Sequence, residues 1–403
     1  MDRRNFLQAG AGGFALAASG LFLPPRAYAA GLPAGTLDSA VLEALAGKQP
    51  LIKRSYRPPN FETPVELFDS TITPNERFFV RWHLSTIPQV AAADWRLKIG
   101  GDSVERPYEL TLAQLQNDFE PVELVAVCQC SGNRRGLSDP HVPGVQWGYG
   151  AMGNARWRGA RLKDILERAG IKAGALEVSY DGADSGALDK TPDFVKSLPM
   201  WKALDDNTLI AYAMNGEPLP HWNGYPARLV VPGWTATYWL KQVIAINVRS
   251  SPEKNFWMSA AYRIPKGKFP LIDRFLSQEG DANTPITEMV VNSLITNLKS
   301  GTKVRAGHAL SVRGVAWDGG YGIRSVDVSL DGGNSWMAAE LEADLGRYSF
   351  RAWHYAHTPP RRGKLALMAR ATNRQGSTQT RELIFNPAGY HNNVMERLEI
   401  DVV

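Results

Sequence analysis

Apolar residues along this chain fall mainly in short runs bounded by Gly, Pro and Asn, and only twice at the three-to-four spacing of a helix. The clearer helix is predicted over 161–170, with Leu162, Ile165, Leu166 and Ala169 on one face and Gly170 as its stop; a shorter one is predicted over 111–117. Strands are predicted over 95–101, 176–180, 209–220 (closed by a turn), 228–233 and 241–248, with a polar loop over 181–186. Residues 30–75 are Pro-rich and irregular, with Lys53 to Pro59 as an extended wrap. From Val290 onward strands at 309–317, 322–329, 336–340, 346–353 and 364–373 alternate with turns, among them Asp331-Gly332-Gly333, and no helical pattern intervenes. That spacing suggests an immunoglobulin-like β-sandwich of about 100 residues. The fold class expected is α+β: a mixed α/β domain over 30–280, then the sandwich over 285–403.

One strand-like run, Leu124 to Val127, leads into both of the chain's cysteines, Cys128 and Cys130, followed by Ser131-Gly132-Asn133-Arg134-Arg135. Period-two alternation points the two thiols to one side and Gln129 to the other. Residues two apart on a strand hold their Cα atoms too far apart for a disulfide, and no further Cys or His stands near enough for a zinc site. Two readings stay open: inert buried thiols, or a thiolate beside two guanidiniums, which suits a soft metal and an anion together. A second stretch, 78–84, also has strand composition, and would set Phe79, Arg81 and His83 on one face. That face fits a solvated edge or a ligand site equally.

The length of 403 residues implies two or three domains, and 44% hydrophobic with 21% charged residues is ordinary for a globular chain. The net charge of +5 is spread out, so nucleic-acid binding has no support. Residues 1–29 read as a leader: Asp2-Arg3-Arg4-Asn5-Phe6-Leu7 resembles a twin-arginine export motif, and Ala27-Tyr28-Ala29 a cleavage site. The intervening apolar run is short and ends at Pro24-Pro25, so no membrane span is expected and the destination is the periplasm.

Taken in order, several motifs resemble the sulfite oxidase family of molybdenum enzymes. They are Phe78-Phe79-Val80-Arg81-Trp82-His83, Cys130-Ser131-Gly132-Asn133-Arg134-Arg135, Trp147, Ala155-Arg156-Trp157-Arg158-Gly159-Ala160-Arg161-Leu162, Ala211 to Pro220, and Pro226 to Gly233 followed by Lys241. The resemblance implies a molybdenum–molybdopterin cofactor with Cys130 as the protein's thiolate ligand. It implies that Phe79, Arg81, His83, Asp184, Asn223, Arg228 and Lys241 hold the pterin and its phosphate; at Asn223 the family has histidine. Arg81, Arg135 and Trp147, with His83 and Tyr262, would form the catalytic anion pocket for sulfite. Arg134 reads as a scaffold salt-bridging residue and Cys128 as a packed thiol.

The implied activity is a sulfite dehydrogenase that makes sulfate and passes two electrons to a c-type cytochrome. The sandwich would be a dimerisation domain, giving a homodimer or a heterodimer with the cytochrome. The sequence shows no Cys-x-x-Cys-His motif and no b5-type domain, so no haem is expected in this chain. Two departures stand out: Pro143 replaces a pocket-mouth lysine, and the late arginine of vertebrate members has only 386–391 as its nearest stretch, where His391 is a weak stand-in. Alternatives are a related oxotransferase reducing nitrate or sulfoxides, and an exported scaffold without metal.

Overall fold

The computed structural model describes residues 41–267 and 282–403; the expected leader and the domain boundary near 280 lie outside them. Leu42–Glu43 (β1), Leu51–Ser55 (β2), Asn60–Glu62 (β3) and Val80–Arg81 (β4) form a small sheet in chain order. The expected strand over 78–84 is therefore reduced to two residues. The Arg81 guanidinium bonds the carbonyl of Trp82, taking an acceptor that a longer ladder would use.

Two five-stranded sheets follow. One contains Arg96–Gly100 (β5), Tyr108–Thr111 (β6), Glu177–Gly182 (β9), Lys196–Pro199 (β10) and Val243–Arg249 (β14), in the order β10-β9-β14-β5-β6. The other contains Pro121–Gln129 (β7), Met152–Arg161 (β8), Leu209–Met214 (β11), Glu217–Pro218 (β12) and Arg228–Val230 (β13), in the order β12-β11-β8-β7 with β13 beside β11. The polar loop expected to begin at Asp181 starts two residues later, because Asp181 and Gly182 still pair with β14.

Helix α1, Leu112–Asn117, opens on a reciprocal cap: Gln114 N–H donates to Thr111 Oγ1 (3.2 Å) and Thr111 N–H to Gln114 Oε1 (2.9 Å). Helix α2, Leu162–Ala169, buries Leu162, Ile165, Leu166 and Ala169, and stops at Gly170, whose φ of 73° suits a residue without Cβ. Both helices and the two sheets share one core with Trp95, Trp147, Trp157 and Trp239.

A ribbon of Arg263–Pro265 (β15) and Asn283–Pro285 (β16) leads to the sandwich. Its strands are Asn292–Ile295 (β17), Lys303–Val304 (β18), Leu310–Trp317 (β19), Ile323–Ser329 (β20), Met337–Ala338 (β21), Glu340–Leu341 (β22), Arg351–His357 (β23), Gly363–Asn373 (β24) and Arg397–Val402 (β25). They make two sheets, β17-β19-β23-β22 and β18-β25-β24-β20-β21, packed over Val312, Val326, Trp353, Leu367 and Ile400. The run 336–340 divides, its first half pairing with β20 and its second with β23, so it joins the two sheets. The strand expected at 346–353 begins at Arg351, because Gly346 turns the chain there, its N–H held by Asp344 Oδ1 at 2.9 Å. β17 and β25 were not anticipated.

The sandwich is locked to the first domain through the back of β7. Trp317 Nε1 donates to Gln129 Oε1 at 2.6 Å, and Phe68, Val127, Met152, Leu294, Trp317 and Phe350 form one apolar cluster across the junction. Arg134, 1% exposed, donates to Val394 O (3.0 Å) and Ser293 O (2.7 Å), with its guanidinium over the rings of Tyr149 and Trp317. It is a scaffold residue as expected, but it works through carbonyls and rings instead of a salt bridge.

Arg134→Ala leaves the buried Ser293 carbonyl and the partly buried Val394 carbonyl without this donor and should lower the unfolding free energy by roughly 3–5 kcal/mol in urea titration. In the sandwich, Asp331 accepts from Ser335 N (2.9 Å), Asn334 N (3.0 Å) and the Ser329 and Ser335 hydroxyls, and these bonds hold its carboxyl well below the ordinary 3.8. A depressed carboxylate stabilises the fold above its unfolded value and loses that contribution as pH falls. Asp331→Asn should therefore melt below the parent at pH 7, and the gap should close as pH drops below 3.8.

Candidate active site

β7 ends with Cys128 on the face opposite Gln129, and Cys130, one residue beyond the strand, turns to the same side; both thiols are buried and unbridged. The Cys130 turn is braced along its length. Cys130 N–H donates to Ala151 O (2.9 Å), Asn133 N–H to Cys130 O (2.9 Å), and Ala151 N–H to Asn133 Oδ1 (3.0 Å). The bracing loop hangs from the N-terminal wrap, where buried Glu62 accepts from Gly148 N (2.8 Å), Gly150 N (2.9 Å) and Arg54 Nε (2.8 Å). Gly150 has to be glycine, since a Cβ there would lie 1.8 Å from Thr63 O.

Both thiols open into a cavity that also has Phe79, Arg81 and His83 in its wall, together with Asp184, Asn223, Arg228, Lys241 and Tyr262. The short β4 explains how Phe79, Arg81 and His83 all reach it. Arg81 Nη1 bonds Asn60 Oδ1 (3.1 Å), and its Nη2 lies 3.4 Å from Tyr262 Oη. His83 Nε2 makes a close contact with the same hydroxyl, while its ring stacks on Phe194 with centroids 3.6 Å apart. Burial, reinforced by Arg81, Lys241 and Lys196, holds His83 well below its ordinary value, so it is a neutral acceptor. Burial raises Tyr262, which therefore stays protonated; its backbone φ of 57° is unusual for a residue with a side chain and is fixed by Ile286 N–H to Tyr262 O (2.9 Å).

On the far wall Arg228 donates to Asn223 O and Trp239 O (both 2.9 Å), touches Cys128 Sγ at 3.8 Å, and lies over the Trp157 ring. Lys241 sits 4.4 Å over Trp82; burial, with Arg228 nearby, brings its ammonium down to about 7. Burial raises Asp184 to about 6 against the pull of Lys241.

Arg135 and Trp147 stand behind this wall. Arg135 donates to Ala388 O (2.7 Å) and Val145 O (3.1 Å) and lies over Tyr390, which stacks on Tyr262 at 5.7 Å. Trp147 is fully buried in the core. His391 adopts φ 56°, and burial holds it down to about 4. Phe194, Lys196, Trp257 and Tyr390 complete the surroundings of Tyr262 and His83, and none was picked out from the sequence. They come from three separate segments, and only the aromatic content of 255–258 offered a hint.

The donors fit an anionic, polar, sulfur-bound group. Arg81 Nε, Ser131 Oγ, Arg228 Nε and Thr237 Oγ1 are buried, belong to the cavity wall, and have no hydrogen-bond partner. Among the described residues no three His, Cys, Asp or Glu side chains converge as metal ligands, so a metal on Cys130 has to bring its other ligands with it. A molybdenum–molybdopterin fits those terms: Cys130 would give the sulfur ligand, and Arg228 and Lys241 would meet the phosphate.

Comparison with known proteins agrees with this chemistry. Residues 83–257 match the oxidoreductase molybdopterin binding domain and 283–403 the Mo-co oxidoreductase dimerisation domain. Mitochondrial sulfite oxidase of Rattus norvegicus is 35% identical over 364 residues, 87% of this chain and 65% of that protein. A nitrate reductase of Hordeum vulgare is 30% identical over 91% of this chain and 42% of its own length. This chain thus spans about two thirds of the sulfite oxidases it matches. Among solved structures, the sulfane dehydrogenase SoxCD of Paracoccus pantotrophus superposes with a TM-score of 0.74 at 26% identity, covering 96% of both chains. With two matched domains in this order, and a cavity whose thiolate and cations suit the cofactor those domains bind, the chain belongs to the sulfite oxidase family of molybdenum enzymes.

Proposed function

We propose that this chain oxidises sulfite to sulfate at a molybdenum–molybdopterin centre in the periplasm and passes the two electrons to a c-type cytochrome. The observation that carries the reading is the meeting of Cys130, Arg81, His83 and Tyr262 at one cavity whose buried donors lack partners. The balanced change is sulfite plus water to sulfate, two protons and two electrons. When bound, the cofactor supplies the oxygen transfer and takes the electron pair.

The chain's own groups bind, orient and handle protons. Cys130 gives the soft anionic ligand. Arg228 and Lys241 balance a phosphate, and Phe79, Asp184 and Asn223 line the pterin's place. Arg81 draws the oxyanion in, and Arg135 adds to the field from behind Tyr390. Tyr262 Oη, between Arg81 and a neutral His83, is placed to donate to a substrate oxygen or to yield its proton toward His83 Nε2. Export to the periplasm is supported by the twin-arginine-like start, and an association through the sandwich by its match to a dimerisation domain.

A second reading, oxidation of a sulfane sulfur, is favoured by the SoxCD likeness.

The protein purified with molybdenum should reduce ferricyanide or cytochrome c when given sulfite, and Cys130→Ser should lose both the metal and that activity. A parent full of molybdenum yet inert to sulfite would sink the sulfite reading and send the assay to sulfane sulfur and nitrate. Tyr262→Phe should keep its molybdenum and KM while kcat drops by about 10²–10⁴-fold, the usual worth of a positioned proton donor, in steady-state kinetics.

A further inference from the structure

Residues 45–48 precede the stretch that matches the molybdopterin-binding family, yet they reach the back of the cavity wall. Ala46 O accepts from Trp222 Nε1 at 3.1 Å, and Lys48 Nζ donates to Asn223 Oδ1 and to Asn75 O, both at 2.6 Å. Trp222 and Asn223 belong to the 3-10 turn His221–Asn223, and both line the cavity. Lys48 is 7% exposed and Asn223 3%, so this contact is out of reach of water.

Asn223 is a junction. Its Nδ2 donates to Phe79 O at 3.2 Å, and its own carbonyl accepts from Arg228 Nη1 at 2.9 Å. An amide side chain can point either way, and its orientation follows from its partners. An ammonium can only donate, so Lys48 forces Oδ1 toward itself and leaves Nδ2 for Phe79. Burying that ammonium is costly: burial, opposed by the pull of Glu76, brings it down to about 7. A methionine of similar length would fill the space more cheaply if packing were all that mattered.

We propose that Lys48 is a positioning residue of the cofactor site: by fixing the Asn223 amide it sets Phe79 and Arg228. The inference rests on the molybdopterin reading above. It extends the site to a segment that the family match does not include.

The test uses the full-length protein loaded with cofactor. Molybdenum is measured by elemental analysis and pterin by fluorescence after dialysis, and the melting temperature of the cofactor-free form by calorimetry. Lys48→Met should weaken cofactor retention about tenfold or more, the usual effect of losing an outer partner, while the cofactor-free melting temperature stays level or rises. Asn223→Ala should lose cofactor similarly, and Lys48→Met added to Asn223→Ala should change retention no further. Retention equal to the parent, a loss accompanied by a lower melting temperature, or additive losses in the double variant would each overturn the assignment. A parent that carries neither molybdenum nor pterin would overturn the cofactor reading itself, and this inference with it.

Discussion

The constraint on which the site depends is the burial of like charge. Arg81, Arg228 and Lys241 line one cavity, Lys48 and Lys196 stand close behind, and Asp184 is the carboxylate among the lining residues. Pairing each cation with a carboxylate would cancel the field that makes the cavity attractive to anions. The fold uses neutral partners instead. Backbone carbonyls of Trp82, Asn223, Trp239, Trp257 and Asn75 accept from these cations, and the rings of Trp82, Trp157 and Tyr262 lie beneath them. Such contacts satisfy hydrogen-bonding needs and leave the charge uncompensated.

That arrangement requires rigid backbone, and the tryptophan-rich core supplies it. Trp82, Trp157 and Trp239 are each almost fully buried, and each either lies under a cation or offers it a carbonyl. Packing and electrostatics are therefore carried by the same residues. The Cys130 turn is held separately, by main-chain bonds to 147–151 and by Glu62, so the thiol's position does not depend on the cations around it.

Local pattern was enough to read helix α2, the Asn215-Gly216 turn, the strand that leads to the cysteines and the sandwich class, because each is decided by neighbours in sequence. The order of motifs picks out Cys130, Arg228 and Lys241, which the structure brings to one cavity. What eluded the sequence was set by distant contacts. Phe78 to Leu84 looks like a strand, yet the Arg81 side chain at its middle takes up a ladder acceptor. Lys48 is one of several cations in a Pro-rich stretch, and its partner lies 175 residues away. Arg134 looked like an ion-pairing residue because a guanidinium next to Arg135 gives no sign that two carbonyls of the other domain will meet it.

Strand β7 faces two ways. One side presents Cys128 to the cavity, and Gln129, between the cysteines, holds Trp317 of the sandwich. Alternation makes these two duties inseparable. Deleting or inserting one residue in β7 would send a thiol into the domain junction and an amide into the cavity, failing on both sides at once. The sandwich is consequently not a freely exchangeable module. In recombination between relatives, a productive crossover has to carry the Cys130 turn and the matching Trp317 surface together, and the two halves of the chain are inherited as one unit.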